Sequence, residues 1–379
     1  MSDTFGLLLK LTIFGESHGP AIGAVLTGLP AGLPLDMKRL EADMDRRRAK
    51  GRISTQRHEP DQVQVLSGVF EGHTAGTAVT FLIENKAQRS GDYDQLKYRL
   101  RPGHADLAAF ARYEGWQDYR GGGHFSGRIT AGLVAAGSLC RQILERRGIR
   151  IASHIERLHG LQDRPFDFAS LDREMDLAQS LEFGVLDPKK AAEMQRLIEE
   201  AASQGDSVGG VLETVITGLP AGIGDPFFDS VESELAHLLF SVPSVKGVSF
   251  GDGFGLAKLY GSQANDPIIP GGNGTVVTAT NRNGGLNGGL TNGMPVILHT
   301  AIKPTPSIYK EQDSVDYRTK QPVKLQITGR HDPCIIHRAR IVVESAVAFG
   351  LLDLVMMRDA QIRLRQETGT GAEPGKEPA

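Results

Sequence analysis

The 379-residue chain is short of several things, and each shortage closes a class of function. It has two cysteines, Cys140 and Cys334, so no disulfide framework and no cysteine-built zinc site follows, and a reducing, cytoplasmic setting is expected. No apolar run reaches membrane-spanning length. Lys10 and Glu16 interrupt the first hydrophobic stretch, Leu7–Leu9, and with it any secretory pattern. The net charge of −3 lacks the basic excess of a general nucleic-acid binder. The eleven histidines show no HExxH or similar spacing, so no metal is expected. Walker A, Rossmann and nucleophile-elbow patterns are missing too. What is left, 40% hydrophobic and 23% charged residues, describes a soluble globular protein of two domains or one large layered domain.

One phrase occurs twice. Val25-Leu26-Thr27-Gly28-Leu29-Pro30-Ala31-Gly32 returns, half the chain length later, as Val215-Ile216-Thr217-Gly218-Leu219-Pro220-Ala221-Gly222. Each copy reads as a strand ending in a Gly-Leu-Pro turn, followed by an acid-rich helix, 36–48 and 229–240. A glycine-rich loop at 121–128 leads into an apolar helix from Ala131, and 329–333 leads into another from Ile341. The pattern predicts an internal duplication with approximate two-fold symmetry in a single large domain, 1–365. Its halves would be about 1–150 and 205–365, with a helical insertion at 163–204 and a disordered tail at 366–379. Strands are expected at 62–69, 78–84, 208–217, 275–280, 295–301 and 323–328. Long strands and long helices without regular alternation make the fold class α+β, layered.

Polar words wrapped in glycine or proline carry the chemistry. Gly15-Glu16-Ser17-His18-Gly19, Arg101-Pro102-Gly103-His104-Ala105-Asp106 and Arg330-His331-Asp332-Pro333 each set an imidazole beside a carboxylate or hydroxyl where regular structure breaks. A solvated turn, a helix cap and an arginine–carboxylate pair are the plainer readings of the three. Residues 46–58 hold Arg46, Arg47, Arg48, Lys50, Arg52, Arg57 and His58 with no acid among them, a local anion-attracting stretch. Tyr119-Arg120-Gly121-Gly122-Gly123-His124-Phe125-Ser126-Gly127-Arg128 exposes backbone N–H groups just before a helix, which suits an anion, although a flexible loop reads the same way. Glycines at 271–274 and 284–293 precede Lys303-Pro304-Thr305-Pro306-Ser307, a stiffened segment suited to a phosphorylated planar cofactor or to a mobile lid.

These words, with Gln56–Asp61 and Leu66–Gly72, occur in order over nearly the whole chain and resemble the chorismate synthase family. The resemblance implies a layered β-α-β-α sandwich, a homotetramer, and a lyase. Its reaction would be the anti 1,4-elimination of phosphate and hydrogen from 5-enolpyruvylshikimate 3-phosphate to give chorismate, the last shikimate-pathway step toward aromatic amino acids. It implies reduced FMN as cofactor without net redox, and NADPH as a reductant in some members. Carried onto this sequence, His18 would serve the leaving phosphate, His104 would balance charge on the flavin ring, and Asp332 would act as base. Ser17, Arg47, Arg52 and Arg128 would face substrate or nicotinamide nucleotide. His124, Phe125, Ser126, Gly289, Lys303, Pro304, Thr305, Pro306, Ser307 and Arg330 would line the flavin. The chain departs from the family's pattern at His124-Phe125, where Arg-Ser is usual, and at Pro243-Ser244, where Asn-Ala is common. A flavin reductase and a non-catalytic flavin binder are the competing readings.

Overall fold

Alternation decides the strands. Strand Val79–Glu84 buries Val79, Phe81 and Ile83, and Ala21–Thr27 buries Ile22, Ala24 and Leu26, each turning its other face outward. In the computed structural model, which describes residues 3–51, 53–55, 59–86, 97–327 and 331–369, these strands belong to an antiparallel five-stranded sheet. Its order is Thr4–Phe5, Lys10–Gly15, Ala21–Thr27, Val79–Glu84, Val63–Ser67. A second antiparallel sheet runs Leu161–Gln162, Arg150–Leu158, Gly210–Thr217, Val296–Ile302, Val245–Phe250. Both copies of the repeated phrase begin on the middle strand of their sheet, and from that strand to one edge the order repeats: the third, fifth and fourth strand of each sheet in chain order.

The helices are α1 (Met37–Arg47), α2 (Asp106–Tyr113), α3 (Thr130–Arg146), α4 (Leu171–Ser180), α5 (Pro188–Ser203), α6 (Val231–Ser241), α7 (Gly261–Ala264) and α8 (Ile336–Glu367). Asp36 caps α1 by accepting from the N–H groups of Lys38 and Arg39, and Ser230 caps α6 through the N–H of Ser233. α3 packs on the first sheet, α6 and α8 on the second, α3 meets α8 between them, and α1 packs against both of these helices. The outer face of the second sheet is covered by α4, over Ala152, Met175, Ala178 and Val215. The layers are therefore sheet, helices, sheet, helix, the expected β-α-β-α sandwich.

The helical stretch at 163–204 becomes α4 and α5. It is held to the second sheet by His154, fully buried between Glu213 (2.6 Å) and Asp163 (3.2 Å), while Asp163 also accepts from the N–H groups of Leu186 and Asp187. α8 runs 32 residues to Glu367, two beyond the expected edge of the domain, and the rest of the expected tail, 370–379, lies outside the described residues. The strand expected at 275–280 shrinks to Val276–Thr278, and that at 323–328 to Pro322–Leu325.

α3 is buried from Ala131 through Leu144 and α8 from Ala339 through Val355, so two almost wholly apolar helices share one interface. Gly137 makes it possible. A Cβ there would lie 2.3 Å from the Ser345 Cβ and 2.7 Å from its carbonyl oxygen. Gly137→Ala is expected to lower stability by about 1–3 kcal/mol, the usual penalty for overpacking, read as a lower midpoint in urea unfolding. An unchanged midpoint would show that the helices do not approach so closely.

Candidate active site

The hairpin between Lys10–Gly15 and Ala21–Thr27 carries Glu16-Ser17-His18. On an extended strand the Ser17 and His18 side chains would point apart, but the turn brings Ser17 Oγ to 3.0 Å from His18 Nδ1, and both residues are buried. Ser17 Oγ also donates to the Arg120 carbonyl (3.1 Å), and the Ser17 N–H donates to the Gly123 carbonyl (3.1 Å). Gly121 lies flat on the imidazole. A Cβ at 121 would sit 2.2 Å from His18 Cε1, so only glycine fits, and its φ of 58° favours glycine as well. His124 Nδ1 reaches the Gly15 carbonyl (2.8 Å), and Asn85 Nδ2 donates to the carbonyls of Glu16 and Gly19. The glycine loop is thus laced to the histidine turn. Ser126 caps the next turn by accepting from the Arg128 N–H (3.2 Å), and Phe125 is exposed near Tyr113.

Arg47 and Arg128 meet at Asp61, a residue that sequence reasoning did not single out. Arg47 Nη1 donates to Asp61 Oδ2 (2.9 Å) and Arg128 Nη1 to Asp61 Oδ1. Arg47 also donates to Thr130 Oγ1 and to the carbonyls of Gly127 and Arg128, and Arg128 Nε donates to Asn85 Oδ1 (3.0 Å). Burial pulls the Arg47 guanidinium down to about 9, against the attraction of Asp61. The resemblance has both arginines facing an anion; here each guanidinium also pairs with the chain's own Asp61 and fixes the loop at the start of α3.

A second group forms where Arg101–Asp106 meets Lys303–Ser307. Arg101 grips Asp106 through Nε and Nη2, both at 2.8 Å. His104, just ahead of the α2 N-cap Ala105, holds Ser307 Oγ at 2.7 Å. Lys303 Nζ donates to the Gly103 carbonyl (2.5 Å), Pro306 packs on Gly103, and the Lys303 N–H donates to the Ser244 carbonyl (2.9 Å), which places Pro243-Ser244 against this segment. Thr305 Oγ1 is buried with no hydrogen-bond partner among the described residues, and Pro304 is exposed. Burial, reinforced by Arg101, pushes His104 down to about 3, so its ring is neutral at pH 7 and the local positive charge is carried by lysine and arginine.

Asp332 is the third anchor. Its Oδ1 accepts from the Thr55 N–H (2.8 Å) and its Oδ2 from Arg338 Nη1 (2.7 Å), while Arg338 Nε donates to the Arg47 carbonyl (2.8 Å). Arg47 therefore joins the Asp332 group to the His18 group, and His331, whose charge is felt at His104, joins it to the second. Gly289 does not join them. It packs on Asp225 and Ser230 and accepts from the Val231 N–H at the start of α6, at the far end of strand Val296–Ile302 from Lys303. Sequence spacing could not reveal that a strand separates the two, roughly 20 Å of extended chain. Arg52, Arg330 and the 56–58 segment lie outside the described residues, and no metal-binding cluster occurs among the described ones.

The depressed His104 has a measurable sign. Between about 3 and the ordinary 6.5 the unfolded chain binds a proton there that the folded chain refuses, so this residue makes stability fall as pH drops through that window. The His104 ring signals in NMR are expected to stay those of neutral imidazole from pH 8 down to pH 5. A midpoint near 6.5 would mean that the ring is solvated.

Residues 9–356 match the family model described as chorismate synthase. A chorismate synthase of Thermococcus kodakarensis is 44% identical over 355 residues, covering 94% of this chain and 98% of that protein. One of Chloroflexus aurantiacus is 42% identical over 362 residues, covering 95% and 97%. A crystal structure of chorismate synthase superposes with a TM-score of 0.75 at 26% identity, covering 96% of this chain and 98% of the other. With the two laced loops and the layered sandwich already in place, these matches leave one conclusion: the chain belongs to the chorismate synthase family, the lyases that convert 5-enolpyruvylshikimate 3-phosphate to chorismate and phosphate.

Proposed function

We propose that the elimination in this chain depends on reduced FMN seated against His104 and Lys303–Ser307. The observation that carries this reading is Thr305 Oγ1, a buried hydroxyl with no partner among the described residues, on the segment whose Lys303 and Ser307 meet Gly103 and His104. A buried hydroxyl left unbonded costs free energy, and a polar, phosphorylated ligand satisfies it. The donor set fits such a group. When bound, reduced flavin would lend the electron density that lets phosphate leave before a non-acidic hydrogen is lost. His104, neutral, serves as a hydrogen-bonding group there rather than as the charge that the resemblance implied.

The chain's own residues handle the protons. Ser17 gives its single hydroxyl proton to the Arg120 carbonyl, so its oxygen accepts at His18 and Nδ1 carries the hydrogen. Nε2 is then where His18 gains a proton and returns it to the departing phosphate oxygen. Asp332, with both oxygens already oriented by Thr55 and Arg338, receives the proton lost from the ring. Phosphate leaves with the C–O electron pair and one hydrogen leaves the ring, so no net oxidation occurs. NADPH as reductant is the second reading. It leans on Arg47 and Arg52, and Arg47 gives its guanidinium to Asp61 here.

The same reading takes 1–365 as one domain of two halves, about 1–150 and 205–365, around the 163–204 insertion, supported by the repeated strand order. A homotetramer is supported by the large apolar side chains left in the open, Phe227, Phe228, Phe254, Tyr260, Ile268 and Val276. A cytoplasmic enzyme fits the two buried free thiols. No helix among the described residues is long and apolar enough to cross a membrane.

Two measurements test this. In an anaerobic assay with 5-enolpyruvylshikimate 3-phosphate, chorismate and phosphate are expected to appear in equal amounts and only with reduced FMN. His18→Ala is expected to slow both at least about a hundredfold without changing the circular dichroism spectrum. Equal rates without flavin would remove the cofactor. By light scattering after gel filtration, wild type is expected at four times the chain mass of 40.9 kDa, and Phe254→Ser with Ile268→Ser at a lower multiple. A wild-type monomer would end the tetramer reading.

A further inference from the structure

A cavity of about 450 Å³ opens on the other side of α1 from Arg47, between the ends of α1 and α4, helix α5 and the start of α8. Arg46, Arg48, Lys50, His337 and Arg340 line it, with Ile53. Glu182 and Glu199 also line it, but both are exposed and stand at its rim. The buried floor is different. Arg46 is matched by a two-pronged pair to Glu344 (2.7 and 2.8 Å), and Arg141 by Asp43 (2.7 Å). Arg340, 2% exposed, donates to two carbonyls at the end of α4, Ala178 (3.3 Å) and Leu181 (3.0 Å). Among the described residues its Nε has no partner, nor has His337 Nδ1, nor Arg48 Nε. Of these guanidinium groups, Arg46 and Arg141 have carboxylate partners, while Arg340 has only carbonyl oxygens.

A buried guanidinium without a counter-ion of its own is costly, and burial together with Arg46 lowers Arg340 to about 10. The carbonyl end of α4 offsets part of that cost. The rest is what an anion supplies: it would accept from Arg340 Nε and His337 Nδ1 at the floor, and from Arg48 and Lys50 at the mouth. The mouth cations share a carboxylate, Asp45, and Arg48 also donates to the Pro60 carbonyl, which leaves its Nε without a partner among the described residues. The cavity is separate from the candidate active site, yet it shares a wall with it. Ser54 Oγ holds His337 Nε2 at 2.7 Å, and the next residue, Thr55, holds Asp332.

We propose that this cavity is a second anion site, taking the phosphate group of a small phosphorylated molecule or free phosphate. The proposal does not rest on the flavin reading, and its test needs no turnover. Calorimetric titration of the whole protein with inorganic pyrophosphate, and separately with orthophosphate, reads it directly. Wild type and His18→Ala are expected to bind alike at this site. Arg48→Gln with Lys50→Gln is expected to weaken it at least tenfold, and Arg340→Met to abolish it. Should Arg340→Met fail to fold, the pair at the mouth still decides. Tighter pyrophosphate binding would mark a diphosphate ligand, and equal affinities would mark released phosphate. Binding that is unchanged in the double variant, or lost wholly in His18→Ala, would overturn the proposal.

Discussion

The site depends on one carboxylate. Asp61 sits between two buried guanidinium groups, Arg47 from α1 and Arg128 from the glycine loop. Its backbone takes a φ of 45°, a conformation few non-glycine residues adopt, and two ion pairs keep it there. Removing one partner of such a buried set typically costs about 3–5 kcal/mol, because a charge is left unpaired in low dielectric. Through Arg47 the constraint spreads to Thr130, to the carbonyls of Gly127 and Arg128, and by way of Arg338 to Asp332. Through Arg128 it spreads to Asn85, which ties down the His18 turn. Cut at Asp61, the His18 turn and Asp332 would no longer share a frame.

The duplication explains why that frame is rigid. Each half offers a five-stranded antiparallel sheet and a long apolar helix, and α3 and α8 meet face to face. Neither helix is amphipathic in the ordinary sense, since each is apolar on nearly every side, as a helix buried between two sheets must be. The charges inside this layer are correspondingly few and paired: Glu344 with Arg46, Asp43 with Arg141. Asp353 is met by the N–H groups of Leu7, Leu8 and Leu9, whereas Arg340 has only carbonyls, and its cavity lies where α4 and α5 close over the layer's end. A helical segment that carried no sign of chemistry in its own sequence supplies one wall of a polar chamber.

Much was legible beforehand, for reasons that can be named. The repeated Thr-Gly-Leu-Pro-Ala-Gly phrase marked equivalent strands because the same turn needs the same residues. Apolar spacing placed α1 and α6 within two residues of their ends. Words of glycine, proline and histidine marked the loops that converge: 15–19 with 120–128, and 101–106 with 303–307. Pair partners were not legible. Asp61 reads as an ordinary acid after a proline, and nothing local says that arginines 14 residues before it and 67 after it will turn inward to meet it. Nor was it legible that Arg47 and Arg128 would share Asp61, or that Gly289 would stand at the other end of a strand from Lys303, since glycine-rich sequence reports permitted backbone geometry and not position along a strand.

Three histidines shielded from water, two buried and one half-buried, show how environment, not residue type, assigns roles. His104 and His337 are both lowered to about 3, by burial first and then by neighbouring arginines. His154 is equally deprived of water, but the hydrogen bonds of Asp163 and Glu213 outweigh the burial and raise it. Its stabilising effect is therefore complete below the ordinary histidine range and is lost as pH rises through its elevated value, opposite to the other two. The cationic imidazole clamps a structural insertion, where carboxylates surround it. The neutral ones face the regions rich in lysine and arginine, where an anion is to be received. A positive histidine there would add repulsion to an unliganded site that already holds a surplus of fixed cations. Neutral imidazole keeps a hydrogen-bonding group in place without that cost, so the fixed positive charge of those regions comes from arginine and lysine.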